Sequence, residues 1–532
     1  MIEDITLRVS PDIAADKEKL AQVLVRTVKT GQLNDWRIVR KSVDARGKAV
    51  IINVTLRLAT GSDKVVPSDY KETEFKPVGA SAPQVIIVGA GPAGLFAALK
   101  AIQVGLRPIV LERGKDVDSR RLDLANISRE QKLDENSNYC FGEGGAGAYS
   151  DGKLYTRSKK RGDNKEVLQL LVQHGASREI LIESHPHIGS DKLPIVIKNI
   201  RATIEKNGGK VYFNTRMTRV LLEAGVAVGV ETSDGRQLFG PVILATGHSA
   251  RDVYRQLYND NVRLEAKGFA MGVRLEHPQE EVDRMQYHCK RKRSEALPPA
   301  EYRFVTQIDG RGVYSFCMCP GGVVVPSASG VNESLVNGMS ASARAGRWAN
   351  SGMVVEIRPG DFPEYANDED PFELLRLQED YEKRFYEAAE SSLRAPAQRM
   401  TDFVAGRLSD SLVRSSYAPG LISKRVDELL PPFIASRLKK GFESFAKQRK
   451  GFMSEQATVI GLESRTSSPI RIPRDPVTLE HTDIKGLYPA GEGAGYAGGI
   501  ISAALDGIRC VESISKRLSE ANNLSQFCET KE

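Results

Sequence analysis

Two glycine-rich segments, one near each end of the chain, constrain the fold more than any other feature. Residues 89–94 read GAGPAG and residues 491–499 read GEGAGYAGG. Because glycine has no Cβ atom, such segments let the backbone approach a phosphate group or a flat ligand closely. We expect both segments to contact the same ligand, which requires the two ends of the chain to meet in the folded protein.

The first segment has the flanking pattern of a dinucleotide-binding loop. Residues 84–88 form an apolar run suited to a buried parallel strand, and the alanine-rich residues 95–104 predict a helix. In this motif the first glycine makes a tight turn, the second lets the backbone approach a pyrophosphate, and the third allows close packing of helix and strand. The pyrophosphate lies at the helix N-terminus, where free N–H groups favour anions. The positions that the motif assigns to this loop are Gly89, Gly91, Pro92, Ala93 and Gly94.

An acidic residue distinguishes between the cofactors that such a loop can bind. Residues 107–111 predict a second strand, and Glu112 follows its end. A carboxylate at this place accepts hydrogen bonds from the ribose hydroxyls of adenosine and repels a 2′-phosphate. The motif therefore fits FAD or NAD better than NADP. The late glycine segment favours FAD, because one cofactor would then be held from both ends of the chain.

The composition is that of a large enzyme without a membrane segment. The 532 residues are 41% hydrophobic and 27% charged, which allows a sizeable core and about three domains. No apolar run reaches the ~20 residues of a membrane helix, and the N-terminus lacks a signal-peptide pattern, so we expect a cytoplasmic protein without a membrane partner. Six cysteines do not indicate a disulfide scaffold. The net charge of +7 is mild and is compatible with an ordinary solvated surface.

The order of the predicted elements indicates a cofactor domain that is interrupted by a second domain. The interruption contains strands followed by helices, the pattern of an α+β cap or substrate domain. No second GxGxxG loop follows a strand, so any NADH or NADPH would bind transiently in the substrate cleft. The predicted regions are a small α/β module (1–66), a linker (67–83), the first part of the cofactor domain (84–265), the cap (266–450), the second part of the cofactor domain (451–520) and a polar tail (521–532).

Several segments together resemble a known group of flavoproteins. Residues 89–94, 112–114 (ERG), 245–247 (ATG) and 491–493 (GEG) resemble the glutathione reductase type of FAD-binding Rossmann-like domain. More narrowly, the chain resembles the predicted FAD-dependent dehydrogenases of bacteria and plastids, often labelled NAD(FAD)-utilising dehydrogenases, over nearly its whole length. The segments that carry this resemblance are 141–154 (FGEGGAGAYSDGKL), 247–252 (GHSARD), 314–322 (YSFCMCPGG), 466–469 (TSSP) and 488–499 (YPAGEGAGYAGG).

The resemblance implies a set of FAD-binding residues. Glu112 would bind the adenosine ribose, the backbone of Met217 would bind adenine, and Glu492 would bind the ribityl hydroxyls. The helix that starts near Ile500 would direct its N-terminus at the pyrimidine edge of the flavin, where a reduced flavin carries negative charge. The remaining implied cofactor residues are Arg113, Gly144, Gly145, Ser150, Asp151, Gly152, Ala245, Thr246, Gly247, Gly491, Gly498 and Gly499.

Two cysteines are candidate catalytic residues. Cys317 and Cys319 could act as dithiol partners of the flavin. In an extended strand, however, residues two apart are separated by roughly 6.5–7 Å, at the edge of disulfide reach. The alternative is that they are simply two small residues beside a turn. A zinc site that adds His288 and Cys289 is not favoured, because the spacing matches no standard finger, and no metal is predicted.

His248 is a candidate acid or base, since it directly follows the predicted strand end at residues 245–247 and imidazole titrates near neutral pH. The alternative is a histidine that holds a loop, and His185 and His187 are weaker candidates of the same kind. We assign His187, Lys153 and Arg465 to substrate binding, where the two cations would suit an anionic substrate. As lone cations, Lys153 and Arg465 are alternatively surface residues.

These observations predict an FAD-dependent oxidoreductase that transfers a hydride between the flavin and a small organic substrate. One alternative is an RNA-modifying flavoprotein in which the N-terminal module engages tRNA. Another is a flavin-binding protein without turnover. A nucleic-acid partner is not favoured, because no aromatic residues interleave with the basic run at 290–293. The sequence does not define an oligomeric state.

Overall fold

The computed structural model describes residues 2–28, 33–60, 62–155, 163–367 and 370–529, with side chains to residue 520. The N-terminal module is a three-stranded antiparallel sheet, ordered β1–β3–β2, with two helices on one face. Leu20 and Leu24 of the second helix pack on Val54 and Leu56 of the central strand, and all four are fully buried. The elements are β1 (Ile2–Val9), α1 (Pro11–Ala15), α2 (Lys17–Thr27), β2 (Leu33–Asp44) and β3 (Ile51–Thr60).

The first part of the cofactor domain alternates strands and helices, as the dinucleotide motif requires. An antiparallel three-stranded sheet, β7–β8–β9, follows the first three parallel strands. The elements are β4 (Gln84–Val88), α3 (Pro92–Gln103), β5 (Arg107–Leu111), α4 (Val117–Glu130), α5 (Asn164–Gln173), α6 (Leu193–Lys206), β6 (Lys210–Tyr212), β7 (Met217–Glu223), β8 (Val226–Thr232), β9 (Gln237–Phe239), β10 (Val242–Leu244) and α7 (Arg251–Asn259).

The cap is built on a long, largely antiparallel sheet ordered β13–β14–β16–β12–β19–β17–β18, with helices packed against it. Its core includes a cluster of phenylalanines in which Phe304 stacks on Phe445 at 5.1 Å between ring centroids. The elements are β11 (Glu265–Ala266), β12 (Phe269–Pro278), α8 (Gln279–Tyr287), β13 (Val305–Ile308), β14 (Arg311–Pro326), β15 (Val336–Met339), β16 (Trp348–Ile357), α9 (Glu373–Ala388), β17 (Ala395–Arg399), α10 (Met400–Ala405), β18 (Leu421–Ser423), α11 (Val426–Leu429), α12 (Pro432–Gln448) and β19 (Thr458–Glu463).

The end of the chain returns to the parallel sheet through β20 (Ile470–Arg471), β21 (Leu487–Pro489) and α13 (Ile500–Glu529). The five parallel strands are ordered β21–β10–β4–β5–β6, so the C-terminal strand lies beside β10 at one edge. Helix α13 packs on α3 so closely that a Cβ atom on Gly507 would lie 2.0 Å from the carbonyl oxygen of Ala93. The predicted mixed α/β fold with an inserted cap and a small N-terminal module is confirmed.

One predicted domain boundary differs from the structure. Strand β19 pairs with β12 and β17 and therefore belongs to the cap sheet, whereas the sequence interpretation assigned residues 451–520 to the cofactor domain. The strand is fully buried on both faces, and its apolar run is equally compatible with either sheet, so only pairing decides its place. Of the predicted tail at 521–532, the backbone is helical to Glu529, and residues 530–532 lie outside the described residues.

Within the part of the chain that the structure describes, no helix is long and apolar enough to cross a membrane.

Candidate cofactor and active site

The first glycine loop connects β4 to α3 and has the geometry that its sequence predicts. Gly89 has a φ of +108°, and a Cβ atom there would lie 2.4 Å from the carbonyl oxygen of Ala245. A Cβ atom on Gly94 would lie 1.9 Å from the carbonyl oxygen of Gly89. At Gly91, by contrast, no atom lies within 4 Å of the added Cβ position. The two outer glycines are thus required by packing within the protein, whereas the middle one faces open space.

The late glycine loop lies beside the first, between β21 and α13. Gly491 has a φ of +76°, and its N–H donates to the carboxylate of Asp506 at 2.8 Å. Asp506 is fully buried and pairs with Arg474 at 2.6 Å. Gly499, immediately before α13, has no atom within 4 Å of its added Cβ position. The loop is therefore fixed by a buried ion pair while its end opens toward the helix N-terminus.

Both loops line one continuous cavity, which also reaches the cap. Three predicted cofactor residues do not line it: Gly94 is occupied by packing against Gly89, a Cβ atom on Gly144 would lie 2.4 Å from Ile197, and Gly498 lines a different pocket. The predicted cofactor residues that do line the cavity are Gly89, Gly91, Pro92, Ala93, Glu112, Arg113, Gly145, Ser150, Asp151, Gly152, Met217, Ala245, Thr246, Gly247, Gly491, Glu492, Gly499 and Ile500.

Glu112 lines the cavity and also binds the backbone of the surrounding loops. Its carboxylate accepts backbone N–H groups from Ala90 at 3.0 Å, Gly114 at 2.9 Å and Gly142 at 2.9 Å. A carboxylate offers about four acceptor positions, so roughly one remains for a ligand hydroxyl. Glu112 therefore holds three loops together at the place where the sequence predicts a ribose contact.

Near Glu112 the cavity is lined by two arginines and an aromatic ring. The sequence gave little or no indication that these side chains would lie at the cofactor site. Arg113 lies over the ring of Phe141 at 4.2 Å from its centroid and pairs with Asp252 at 3.0 Å. Arg216 also lines the cavity and lies 3.4 Å from the same aspartate. Arg216 precedes a predicted strand without any motif, so its position depends on the pairing of β7 with β8.

Glu492 is a carboxylic acid that faces the cavity without a hydrogen-bond partner among the described residues. Burial and the nearby Cys317 raise its pKa to about 7, although Lys267 opposes this. A buried acid without a partner carries a desolvation cost that a ligand hydroxyl can relieve. This is the place at which the resemblance puts the ribityl chain.

Asp151 and Lys153, predicted to bind cofactor and substrate, both bind residues of the cap. Asp151 is buried and forms a two-contact ion pair with Arg344 of the cap, in which Nε donates at 2.9 Å. Lys153 donates to the carbonyl oxygen of Met318 and lies 3.6 Å from Glu301. Both side chains line the cavity, but they also join the glycine-rich segment to the cap. Ser150 similarly donates to the Gly147 carbonyl oxygen at 2.8 Å and stabilises its own turn.

Arg465 lines the cavity and is already paired with two carboxylates. Its guanidinium pairs with Glu382 at 2.7 Å and Glu333 at 2.6 Å, and only 5% of its side chain is exposed. Arg251 pairs with the same two acids. A direct ion pair with an anionic substrate would have to compete with these two carboxylates, and the substrate-binding role of Arg465 stays a prediction.

His248 lines the cavity, but its environment opposes the charged form. Burial and the charges of Arg465, Arg251 and Lys267 lower its pKa to about 3. It therefore stays neutral throughout the physiological range and can donate or accept a hydrogen bond. A role as a proton-exchanging acid near pH 7 is not supported by this environment.

His187 does not line the cavity, and its Nε2 is 3.0 Å from the carbonyl oxygen of Ser342. Burial, followed by the charge of Arg344, lowers its pKa. The ring connects two loops and lines neither the first cavity nor the second pocket, and its substrate role stays a prediction. The neighbouring His185 lies 2.9 Å from Glu301 and lines the second pocket described next.

A second pocket opens from the cap side of the first cavity. The two share Lys153, Phe316 and Cys317, which form the wall between them. Phe316 lies in the segment 314–322 that carries the family resemblance, but nothing in the sequence indicated that its side chain would face a cavity. The remaining residues of the second pocket are Tyr155, His185, Pro186, Glu301, Tyr302, Arg303, Ser315, Met318, Arg344, Gly498 and Ser502.

The two candidate cysteines do not lie on a regular strand. Cys317 has a φ of +43°, and the pairing of β14 with β16 is irregular between Phe316 and Cys319. The strand bends there, so that the Cys319 thiol lies 3.6 Å from the Cys317 carbonyl oxygen. The spacing expected for an extended strand is therefore wrong at this position.

Several features of the first cavity fit FAD. Gly91 and Gly499 leave open space where side chains would otherwise stand, and α13 begins at the cavity with unpaired N–H groups. Glu492 supplies an acceptor for ribityl hydroxyls, and Glu112 retains room for a ribose hydroxyl. In the described residues, no cluster of three or more histidine, cysteine or acidic side chains could hold a metal ion.

Comparison with protein families supports the cofactor assignment. Residues 84–125 match an FAD binding domain, and residues 268–466 match the family described as "FAD-dependent protein, C-terminal domain-like". Residues 1–59 match a domain of unknown function. The chain therefore carries an FAD-binding domain joined to the C-terminal domain of FAD-dependent proteins, and the latter includes β19.

Solved structures similar to this chain share little sequence with it. A geranylgeranyl bacteriochlorophyll reductase-like protein from Thermoplasma acidophilum is 14% identical, with a TM-score of 0.35, over 83% of this chain and 80% of that chain. The flavin-dependent brominase Bmp2 is 13% identical, with a TM-score of 0.34, over 82% of this chain and 79% of that chain. At this level of similarity neither protein carries an inference about the substrate.

A much nearer relative is a protein from Clostridium beijerinckii described as uncharacterized. It is 38% identical to this chain, over 97% of this chain and 98% of its own length. Identity at that level over the full length includes the N-terminal module, the cofactor domain and the cap. The chain therefore belongs to the family of this clostridial protein.

Proposed function

We propose that this protein is an FAD-dependent oxidoreductase that transfers a hydride between the flavin and a small organic substrate bound in the second pocket. The observation that carries the proposal is the wall formed by Lys153, Phe316 and Cys317, which belongs to both cavities. A substrate in the second pocket therefore lies next to whatever occupies the cap end of the first cavity. FAD, when bound, supplies two-electron chemistry between a donor and an acceptor.

The chain's own residues bind and orient the cofactor. Backbone N–H groups at the start of α3 and α13 attract negative charge, and the carboxylates of Glu112 and Glu492 accept hydroxyl groups. The cap covers the cavity and excludes water, since buried ion pairs of Arg344 with Asp151 and of Arg251 with Glu382 connect it to the cofactor domain.

The second pocket can orient a polar substrate. Glu301 remains ionised, because hydrogen bonding to His185 and the charges of Lys153 and Arg344 outweigh its burial and lower its pKa to about 2. Lys153 and Glu301 thus present opposite charges to the same pocket. Such a pair suits a substrate with both a donor and an acceptor group, and it also suits the amide of a nicotinamide ring. We propose that NADH or NADPH reduces the enzyme by transient binding here.

The first experiment tests cofactor and donor together. Purified protein is expected to be yellow, and anaerobic mixing with NADH or NADPH in a stopped-flow instrument is expected to bleach the flavin absorbance. Reoxidation is then screened with candidate acceptors. Protein that stays colourless after incubation with FAD would contradict the proposal, and so would bound flavin that neither nicotinamide cofactor nor any acceptor changes.

A matched pair of variants locates the reaction. Lys153→Met removes a charge from the shared wall and is expected to retain FAD but slow the reduction by about tenfold or more, the effect of losing one charged contact. Lys132→Met removes an exposed lysine that lies outside both cavities and is expected to behave as the wild type. Equal rates in both variants would show that the second pocket does not hold the donor.

A further inference from the structure

Cys317 and Cys319 differ in access. Cys317 is exposed and lines both the first cavity, called the FAD cavity from here on, and the second pocket. Cys319 is fully buried behind it. A small molecule in the second pocket can reach the first sulfur but not the second. The bend at Cys317 brings the Cys319 thiol to 3.6 Å from the Cys317 carbonyl oxygen, so a reaction at the exposed thiol takes place beside the buried one.

A buried arginine, Arg274, contacts both cysteines. Arg274 donates to the Cys317 carbonyl oxygen at 2.7 Å, and its guanidinium lies 3.5 Å from Cys319 Sγ. Arg274 is fully buried and is paired with Glu463 at 3.1 Å. A fixed cation next to two thiols stabilises a thiolate, which is the reactive form of cysteine.

The surrounding charges favour ionisation of the exposed thiol over the buried one. Interaction with the Cys319 thiol, together with the charges of Arg274 and Lys153, lowers the pKa of Cys317 to about 6. The same interaction, together with burial, raises the pKa of Cys319. Three nearby carboxylates oppose the ionisation of Cys317, and the lowered pKa is what remains after their effect. They are Asp151, Glu463 and Glu492.

These contacts give the two cysteines different chemical roles. A thiolate that a substrate can reach acts as the attacking group in thiol–disulfide exchange, and a neighbouring protonated thiol acts as the resolving group. A disulfide requires Cα atoms within about 4.4–6.8 Å of each other, and the positive φ of Cys317 takes this segment out of the extended conformation, in which residues two apart are roughly 6.5–7 Å apart.

We propose that Cys317 and Cys319 form a redox pair that reacts with a small disulfide bound in the second pocket, which makes a disulfide or its thiol the substrate class of this site. The proposal rests on the oxidoreductase function proposed above. The Cys317 thiolate attacks one sulfur of the disulfide, forms a mixed disulfide and releases one thiolate. Cys319 then gives its proton to that thiolate and attacks the Cys317 sulfur, which closes the Cys317–Cys319 disulfide and releases the second thiolate.

The reaction balances without a further reagent. The two cysteines lose two electrons, the substrate disulfide gains them, and the single proton of Cys319 is carried away on one of the two released sulfur groups. A reduced flavin in the first cavity would supply the two electrons that return the disulfide to two thiols, with the protons coming from solvent.

The test uses the reduced holoprotein and 2-hydroxyethyl disulfide as the probe. After acid quenching and alkylation, peptide mapping by mass spectrometry is expected to find a Cys317–Cys319 disulfide in the wild type. Cys319→Ser is expected to stop at a mixed disulfide of Cys317 with half of the probe, and Cys317→Ser is expected to form neither product. Cys289→Ser, which removes a half-exposed cysteine outside both cavities, is expected to match the wild type.

Two results would overturn the inference. One is a wild-type holoprotein in which both cysteines stay reduced after the probe has modified Cys289. The other is a Cys319→Ser variant that retains FAD but forms no mixed disulfide. Flavin reduction by NADH or NADPH is measured separately on the same samples. Inert cysteines beside a reducible flavin overturn only this inference, whereas a reactive pair in protein that binds no FAD overturns only the proposed function.

Discussion

The FAD cavity and the second pocket are adjacent, but they are lined by different types of residue. The FAD cavity is lined mainly by glycines, small residues and main-chain atoms of the two loops. The second pocket is lined by longer polar and aromatic side chains, among them Lys153, His185, Glu301 and Arg344. A wall of main chain recognises a ligand by shape and N–H groups, whereas a wall of side chains recognises it by charge. Changes in the first should therefore affect binding of FAD, and changes in the second should affect reactivity.

The largest expected effect comes from the glycines of the first loop, and a matched pair separates folding from binding. Gly94→Ala places a Cβ atom 1.9 Å from a main-chain oxygen that cannot move away, so we expect loss of FAD binding and of a stable cofactor domain. Gly91→Ala meets no protein atom within 4 Å, so the apoprotein should keep its melting temperature while its affinity for FAD falls. Calorimetry of the apoproteins and FAD titration measure the two quantities. Equal melting temperatures for both variants would contradict the packing role of Gly94.

The ion network that joins the cap to the FAD cavity should be the next most sensitive feature. Glu382→Gln leaves Arg251 and Arg465 buried with less compensating charge, at a cost of about 3–5 kcal/mol in the free energy of unfolding. Glu387→Gln on the same helix removes an exposed pair with Lys383 and should cost less than about 1 kcal/mol. Urea unfolding of both variants checks this. Similar small losses in the two would mean that the cap does not depend on the network.

Glu492 should affect FAD affinity and the pH dependence of the apoprotein. Glu492→Gln removes a charged acceptor, so affinity for FAD should fall by about 10- to 100-fold, the equivalent of one hydrogen bond to a charged group. The folded pKa of Glu492, raised to about 7 from 4.5, gives a stabilisation present below pH 4.5 that is lost as pH rises through 7. The variant apoprotein should therefore lose less stability than the wild type between pH 5 and pH 8 in urea titrations. A steeper loss in the variant would contradict the raised pKa.

The smallest effect is expected at His248. Since burial and nearby cations lower its pKa to about 3, it is neutral at pH 5 and at pH 8. His248→Gln should therefore leave the shape of the pH profile of flavin reduction unchanged and alter its rate only modestly. Stopped-flow reduction across this range tests the expectation. Disappearance of a transition near pH 6.5 in the variant would show that His248 exchanges a proton after all.

The sequence predicted the cofactor loops well because each depends on residues that are neighbours in the chain. Gly89, Gly91 and Gly94 have roles that follow from their spacing between one strand and one helix. The cap boundary was not predictable in the same way, since β19 is an apolar strand that either sheet could accept. Arg465 illustrates the same limit for a side chain, because its partners Glu333 and Glu382 lie far away in the sequence.

The sequence by itself determined that the chain folds around a dinucleotide loop and that its two glycine segments suit one cofactor. Only the tertiary structure decided which polar residues line the first cavity and which are held in ion pairs between domains. It also decided that Cys317 stands in the wall between two cavities with Cys319 buried behind it, at a bend in β14. The physical reason is that glycine acts through local backbone geometry, whereas the charge and reactivity of a side chain depend on which distant groups the fold brings beside it.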